Sequence, residues 1–423
     1  MYHRRSHATP EEFILACTCC QRPPSEPRDE AVRAAARSVN DWDRFLRVVQ
    51  RQRIAGLVQS ALASAEVELP PHVEQHLVRQ TQQTARQNLM LTAEAVRLQT
   101  VFDAAGISVV FFKGITLAQL AYGSLSLKHG KDIDLLVLPD RAETAVRLLE
   151  REGYALWEPA EYLNETQLRA VICYGKEVAL VHRRRNVQVE LHWRLVESPP
   201  LLKELDASTP TQDVALSSGV SIRSFVEEDL FAYLCVHGAR HGWSRLKWIA
   251  DLNALIAAKS NAEIAHLHRH AQAKGAGLCA GQALILCHRL LKLNLPPALE
   301  VELCGSGRLE RLVRSAMSAL VGSDAKTELE DRPFISTRIN LSGFLLGQGW
   351  AYFFSHCRFL LVMPVDVIRY PLPSSLHFLY PIIRIPLWFC RRLRYLGRGA
   401  PAVGNLRKRG PRTSRLSPRG FFD

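Results

Sequence analysis

The sequence predicts an α+β fold. Short apolar runs alternate with short helical periods between residues 106 and 193, as in a sheet with helices packed on it. The last two runs, Glu177 to His182 and Val187 to Trp193, are joined by Arg183-Arg184-Arg185-Asn186 and read as a hairpin. Helical periods without strands flank the region on both sides. A series that closes on a hairpin argues for a mixed sheet between helical layers rather than a doubly wound one.

Taken in order, residues 1–39 are expected to be loosely ordered, because Arg22-Pro23-Pro24 and Glu26-Pro27 interrupt any helix. Residues 40–105 form a helical layer. Its first helix is capped by Asn40 or Asp41 and buries Phe45, Val48, Val49, Leu57 and Val58. Its second runs from Pro71 to Ala105 and stops at Gly106. Residues 106–220 hold the mixed domain: a strand Ile107 to Phe112, a helix Ile115 to Tyr122, a strand Asp132 to Leu138, a helix Arg141 to Arg151 and the hairpin. Residues 221–342 are helical, opened by a capping box at Ser224-Phe225-Val226-Glu227 and broken at Gly242.

Residues 343–396 are apolar and aromatic, with Trp350-Ala351-Tyr352-Phe353-Phe354 at their head. Charged residues and prolines interrupt the segment, so it is not a transmembrane span. It is either buried packing or interfacial. The tail, 397–423, is basic and expected to be disordered.

The 423 residues carry a net charge of +13, which suggests an anionic partner: nucleotide, nucleic acid or an acidic membrane surface, the last two through the basic tail. The ten cysteines make no framework. Cys17, Cys19 and Cys20 cluster without a second pair at zinc spacing, so reduced core thiols and a cytoplasmic setting, peripheral to the membrane at most, are expected. No signal peptide is visible, since Phe13-Ile14-Leu15-Ala16 is too short an apolar run.

Three stretches carry candidate chemistry. In Asp132-Ile133-Asp134 the two carboxylates share one face of a strand, where their repulsion favours a divalent cation such as Mg²⁺; a solvated strand edge is the alternative. In Val187 to Trp193, Gln188, Glu190 and His192 share the face opposite the valines, Leu191 and Trp193. His192 would orient a carboxylate, contact a ligand or serve structure. In Leu234 to Leu252, His237 and His241 stand four apart, but Gly238 follows His237 where a zinc protease needs Glu. Arg240, Arg245 and Lys247 surround the helix break, either as a triphosphate site or as a solvated face. Asp251 follows, as a general base, or else as an N-cap or an ion-pair partner of Arg245 or Lys247.

Phe112-Lys113-Gly114, Tyr122-Gly123, Lys128, Asp132 to Val137, Val189 to Arg194 and Leu234 to Leu252 together resemble a bacterial family of uncharacterised nucleotidyltransferases. That family belongs to the DNA polymerase beta-like superfamily, and the resemblance spans roughly residues 40 to 396. It implies a nucleotidyltransferase-type sheet and transfer of an NMP from a nucleoside triphosphate to an unidentified hydroxyl acceptor, with release of pyrophosphate. Asp132, Asp134 and Glu190 would hold two Mg²⁺ ions, and Gly114 would let the backbone approach the phosphates. The superfamily's Ser or Gly after that glycine is Ile115 here, so Lys113, Lys128, Arg240, Arg245 and Lys247 would have to hold the triphosphate. The alternatives are a catalytically inactive binding module or a membrane-surface accessory protein.

Overall fold

The structure, a computed structural model, describes residues 9–217, 219–321, 335–362, 364–384 and 386. The basic tail over 397–423 and the end of the aromatic segment from residue 387 lie outside them.

The first helices correct the expectation of loose order. α1 (Glu11–Cys19) and α2 (Glu26–Arg37) precede α3 (Trp42–Gln52), α4 (Ala55–Ser64) and the long α5 (Pro71–Ala104). Pro27 stands in the first turn of α2, where a missing N–H costs nothing, and the Ser25 side chain caps the helix. The prolines start a helix here instead of breaking one. Cys17, Cys19 and Cys20 are packed in the core, and burial raises the pKa of each thiol. Asp41, rather than Asn40, caps α3 by accepting from the Arg44 N–H at 2.8 Å.

The mixed region runs β1 (Val110–Phe111), α6 (Gly114–Tyr122), β2 (Ile133–Leu136), α7 (Ala142–Arg151), β3 (Ala155–Glu158), α8 (Glu165–Tyr174), β4 (Glu177–His182) and β5 (Val187–His192). The strand order is β1-β2-β5-β4-β3, with β2 and β5 parallel and the other pairs antiparallel. A second hairpin, β6 (Thr211–Ser217) and β7 (Val220–Phe225), crosses the junction expected at 220/221. Ser224 and Phe225 are buried in this hairpin, so the expected capping box does not form. α9 (Glu227–Arg240) opens on Val226, and Glu227, Glu228 and Asp229 set negative charge against the positive end of the helix dipole.

The helical region continues as α10 (Leu246–Ile256), α11 (Asn261–Ala273), α12 (Gly277–Leu291), α13 (Pro297–Cys304), α14 (Gly307–Val321), α15 (Ile335–Ser342), α16 (Gly349–Leu361) and α17 (Pro364–Arg369). Gly242 breaks the chain after α9 at φ +60°, and a Cβ on Gly238 would lie 2.3 Å from the Trp243 ring.

Strand alternation decides which way the site faces. Ile133, Leu135, Val137, Val189 and Leu191 pack beneath the sheet with Leu91, Leu98 and Val146 of α5 and α7. Leu136 and Phe112, of opposite parity, join the other core, which includes Phe231 and Ile249 of the helical region. The polar residues of β2 and β5 therefore sit at the seam between sheet and helices.

Candidate active site

Asp134 and Glu190 are register partners on the parallel strands β2 and β5. His192 stands two residues beyond Glu190, and ligand atoms of all three lie within 4.8 Å of one another. The His192 Nδ1 is 2.8 Å from Oε2 of Glu177, and its Nε2 is 3.4 Å from Oδ1 of Asp134 and 3.7 Å from Oε2 of Glu190. Burial works against a charged imidazole, but Glu177, Asp134 and Glu190 hold its pKa up to about 10. His192 thus bridges Glu177 to the Asp134–Glu190 pair, and its ring offers a ligand atom beside theirs. The Phe112 ring meets it edge-on at 5.1 Å.

Lys113 is the other counterion. Its Nζ lies 2.5 Å from Oδ1 of Asp134 and 3.9 Å from Oε2 of Glu190. Burial alone would raise the pKa of Asp134, yet Lys113 and His192 hold it well below the usual carboxylate range. Asp132 precedes β2 and is half-buried. Burial, reinforced by the Asp134 and Glu190 charges, pushes it up to about 7.

Gly114 adopts φ +58°, and a Cβ there would stand 3.3 Å from the carbonyl oxygen of Asp132. The close approach it permits is thus to the start of β2. Ile115 is only 3% exposed and packs beneath the sheet, away from the carboxylate face.

A second group of charges gathers where α6 meets α10. The Lys128 Nζ is 3.2 Å from Oδ2 of Asp251, and the Tyr122 hydroxyl donates to Oδ1 at 2.9 Å. Asp251 therefore pairs with Lys128, not with the expected Arg245 or Lys247, and both its oxygens are engaged. Lys247 lies one turn before Asp251 on the same helix face. Burial, then Lys128 and Arg53, bring its ammonium down to about 7, against the pull of Asp251 and Asp132.

The remaining two cations are tied into structure. The Arg245 guanidinium donates to the Arg51 carbonyl at 2.6 Å, joining α3 to the start of α10. Arg240 donates to Glu197 at 2.9 Å and stacks on Phe359 at 4.3 Å, which fixes α16. Neither fits the triphosphate contact expected from sequence.

Glu177, Lys176 and Tyr233 were not singled out in the sequence. Glu177 had a signal: a four-residue turn closed by His182 and Val187 pairs residue 177 with residue 192 by counting along the hairpin. Lys176 is the ion partner of Glu177 at 2.6 Å. Tyr233, His237 and His241 form a ladder along α9, with the two imidazoles 4.5 Å apart and Trp248 5.1 Å from the second. Burial keeps both imidazoles below the ordinary histidine pKa, so they are neutral.

The donor chemistry fits a divalent cation. Asp134, Glu190 and His192 bring ligand atoms to one place, where the Lys113 ammonium now balances the carboxylates; Asp132, expected from the sequence as a third carboxylate, is not part of that group. Among the described residues no other group of three ligands converges this way.

A mixed sheet that offers paired carboxylates to a helical layer across a seam is a nucleotidyltransferase-type arrangement. The chain belongs to the family described as uncharacterised nucleotidyltransferase, whose model matches residues 38–292, more than half its length. Every residue of the site from Lys113 to Asp251 falls within the match, and α13 to α17 lie beyond its end. No curated protein matches the chain.

Proposed function

We propose that the protein transfers an NMP from a nucleoside triphosphate to a hydroxyl acceptor in a divalent-metal-dependent reaction. The observation that carries this reading is the Asp134–Glu190 pair, in register on parallel strands, with a ligand atom of His192 within reach of both. Bound divalent ions, two Mg²⁺ in the fullest form, would polarise the α-phosphate and stabilise the attacking and leaving oxygens. Asp134, Glu190 and Asp132 hold that charge. The Lys113 ammonium then leaves Asp134 and is free to meet a phosphate. Lys128 and Lys247 neutralise the polyphosphate from the α10 side, and Tyr122 and Asp251 keep Lys128 in position. The acceptor oxygen bonds to the α-phosphorus, the bond to the bridging oxygen breaks, pyrophosphate departs and the acceptor proton passes to water.

The experiment is mass spectrometry of the protein and of lysate metabolites after incubation with Mg²⁺ or Mn²⁺ and each NTP. An NMP adduct formed by wild type and lost in Asp134→Asn is the expected result. An adduct that persists in Asp134→Asn contradicts this reading.

A second reading is favoured by one contact, the 2.5 Å Lys113–Asp134 pair. An ammonium that stays on Asp134 would leave a nucleotide-binding module without turnover. Nucleotide binding with no adduct and no pyrophosphate under any metal selects it.

A further inference from the structure

α16 presents its apolar side outward. Tyr352 and His356 face inward and are buried, and the Tyr352 hydroxyl donates to the Gly343 carbonyl at 2.5 Å. Close packing holds that side: a Cβ on Gly347 would lie 2.4 Å from the Tyr352 ring, and one on Gly343 2.5 Å from His356. On the opposite side Trp350, Phe353 and Phe354 are 75%, 42% and 63% exposed. Their rings touch one another, with centroids 5.6 to 6.0 Å apart. Phe378 and Ile382, further along the chain, are also exposed. Exposed aromatic surface of this kind marks an interaction site rather than ordinary surface.

Charge says what covers it. Residues 335–423 contain 14 Lys and Arg against two Asp and Glu, so this stretch supplies +12 of the chain's net +13. One of those two acids, Asp366, is buried and paired with Arg384 at 2.9 Å. The remainder of the chain is almost neutral, and this stretch lies wholly beyond the family match. Exposed Trp and Phe on a helix face combined with a polybasic segment are the two signals that hold a protein on an anionic bilayer. A nucleic acid would answer the charge but not the exposed Ile382. No described helix is long and apolar enough to cross a membrane, so the contact is with the surface.

We propose that α16 docks the protein on an anionic lipid surface, with Trp350, Phe353 and Phe354 entering the headgroup layer and the net positive charge of residues 335–423 supplying the attraction. The test is co-sedimentation of the full chain with phosphatidylcholine vesicles, with and without phosphatidylglycerol. Wild type should pellet with the anionic vesicles, not with the neutral ones, and added salt should release it. Trp350→Ser/Phe354→Ser should weaken binding by roughly tenfold or more, through lost apolar insertion. Replacing Arg407, Lys408 and Arg409 with Gln should cost up to about fivefold per charge. A conservative arm keeps the fold: bromolipid quenching of tryptophan emission should be strong in wild type and largely lost in Trp350→Phe. Undiminished vesicle binding by Trp350→Ser/Phe354→Ser overturns the proposal. So does quenching that survives in Trp350→Phe, preferential binding to RNA over vesicles, or a dimer that forms through this face without lipid.

Discussion

Lys113 and Asp134 form the shortest ion pair of the carboxylate centre, 2.5 Å from ammonium to Oδ1, at the point where a catalytic cation would be held. The ammonium and a divalent ion compete for the same oxygen. Lys113→Met should therefore tighten Mn²⁺ binding while destabilising the metal-free protein, since removing one partner of a buried pair costs about 3–5 kcal/mol. Calorimetric titration and thermal melts with and without metal check both signs. Weaker metal binding in Lys113→Met would place Lys113 among the groups that assemble the site rather than those that guard it.

Lys128 is expected to matter for nucleotide, not for metal. A charge-assisted contact to phosphate is worth about 1.5–3 kcal/mol, so Lys128→Met should weaken NTP binding by roughly tenfold to a hundredfold. Asp251→Asn should act in the same direction through Lys128, by a smaller factor. Nucleotide titrations unchanged in both variants would reduce this group to a structural tie between α6 and α10.

Lys247 gives the site a pH dependence. Its ammonium, brought down to about 7 by burial, Lys128 and Arg53, is present below that pH and lost above it. NTP affinity attributable to Lys247 should fall as pH rises through 7. Arginine stays charged throughout this range, so Lys247→Arg should flatten the profile. Comparing the ratio of wild-type to Lys247→Arg affinity across pH cancels the titration of the nucleotide itself, and a constant ratio contradicts the assignment.

Ile115→Ser would be neutral or helpful only if the side chain faced the phosphates. The structure buries Ile115 beneath the sheet, so the substitution should cost about 2–4 kcal/mol through a cavity and an unpaired hydroxyl. A lowered Tm with unchanged nucleotide affinity is the expected outcome.

Away from the site, Glu94 on α5 clamps the edge of the sheet. It accepts from the Tyr154 hydroxyl at 2.6 Å and from Arg97 at 2.7 Å, and pairs with Arg185 at 3.0 Å. Burial would raise its pKa, but Arg97, Tyr154 and Arg185 outweigh it and hold the carboxyl below its usual value of 4.5. A depressed folded-state pKa contributes stability above the unfolded value that is lost as pH falls through the folded one. The Tm gap between wild type and Glu94→Gln should thus be full at neutral pH and shrink below about 4.5. A gap independent of pH contradicts the clamp.

Strand alternation made the central geometry legible before the structure. The shared face of Gln188, Glu190 and His192 and the apolar parity of Ile133 and Leu135 place the carboxylates on the side away from α5. What local pattern does not carry was missed. The prolines around Pro23 and Pro27 read as breakers because nothing local shows that α1 and α2 have a core to pack on. Arg245 looked like a phosphate ligand because its acceptor, the Arg51 carbonyl, is 194 residues away in sequence. The partner of Asp251 was misjudged for the same reason, since Lys128 arrives from the loop after α6.

On the proposed function, Asp134 and Glu190 hold the divalent ion that drives nucleotidyl transfer. The most direct test is pyrophosphate release from NTP, measured with the acceptor-containing lysate fraction and titrated with Mg²⁺. Wild type should release pyrophosphate in proportion to metal occupancy, while Asp134→Asn and Glu190→Gln, folded and of near wild-type Tm, should release none at any metal concentration. Metal-dependent release that persists in either folded variant would contradict the claim.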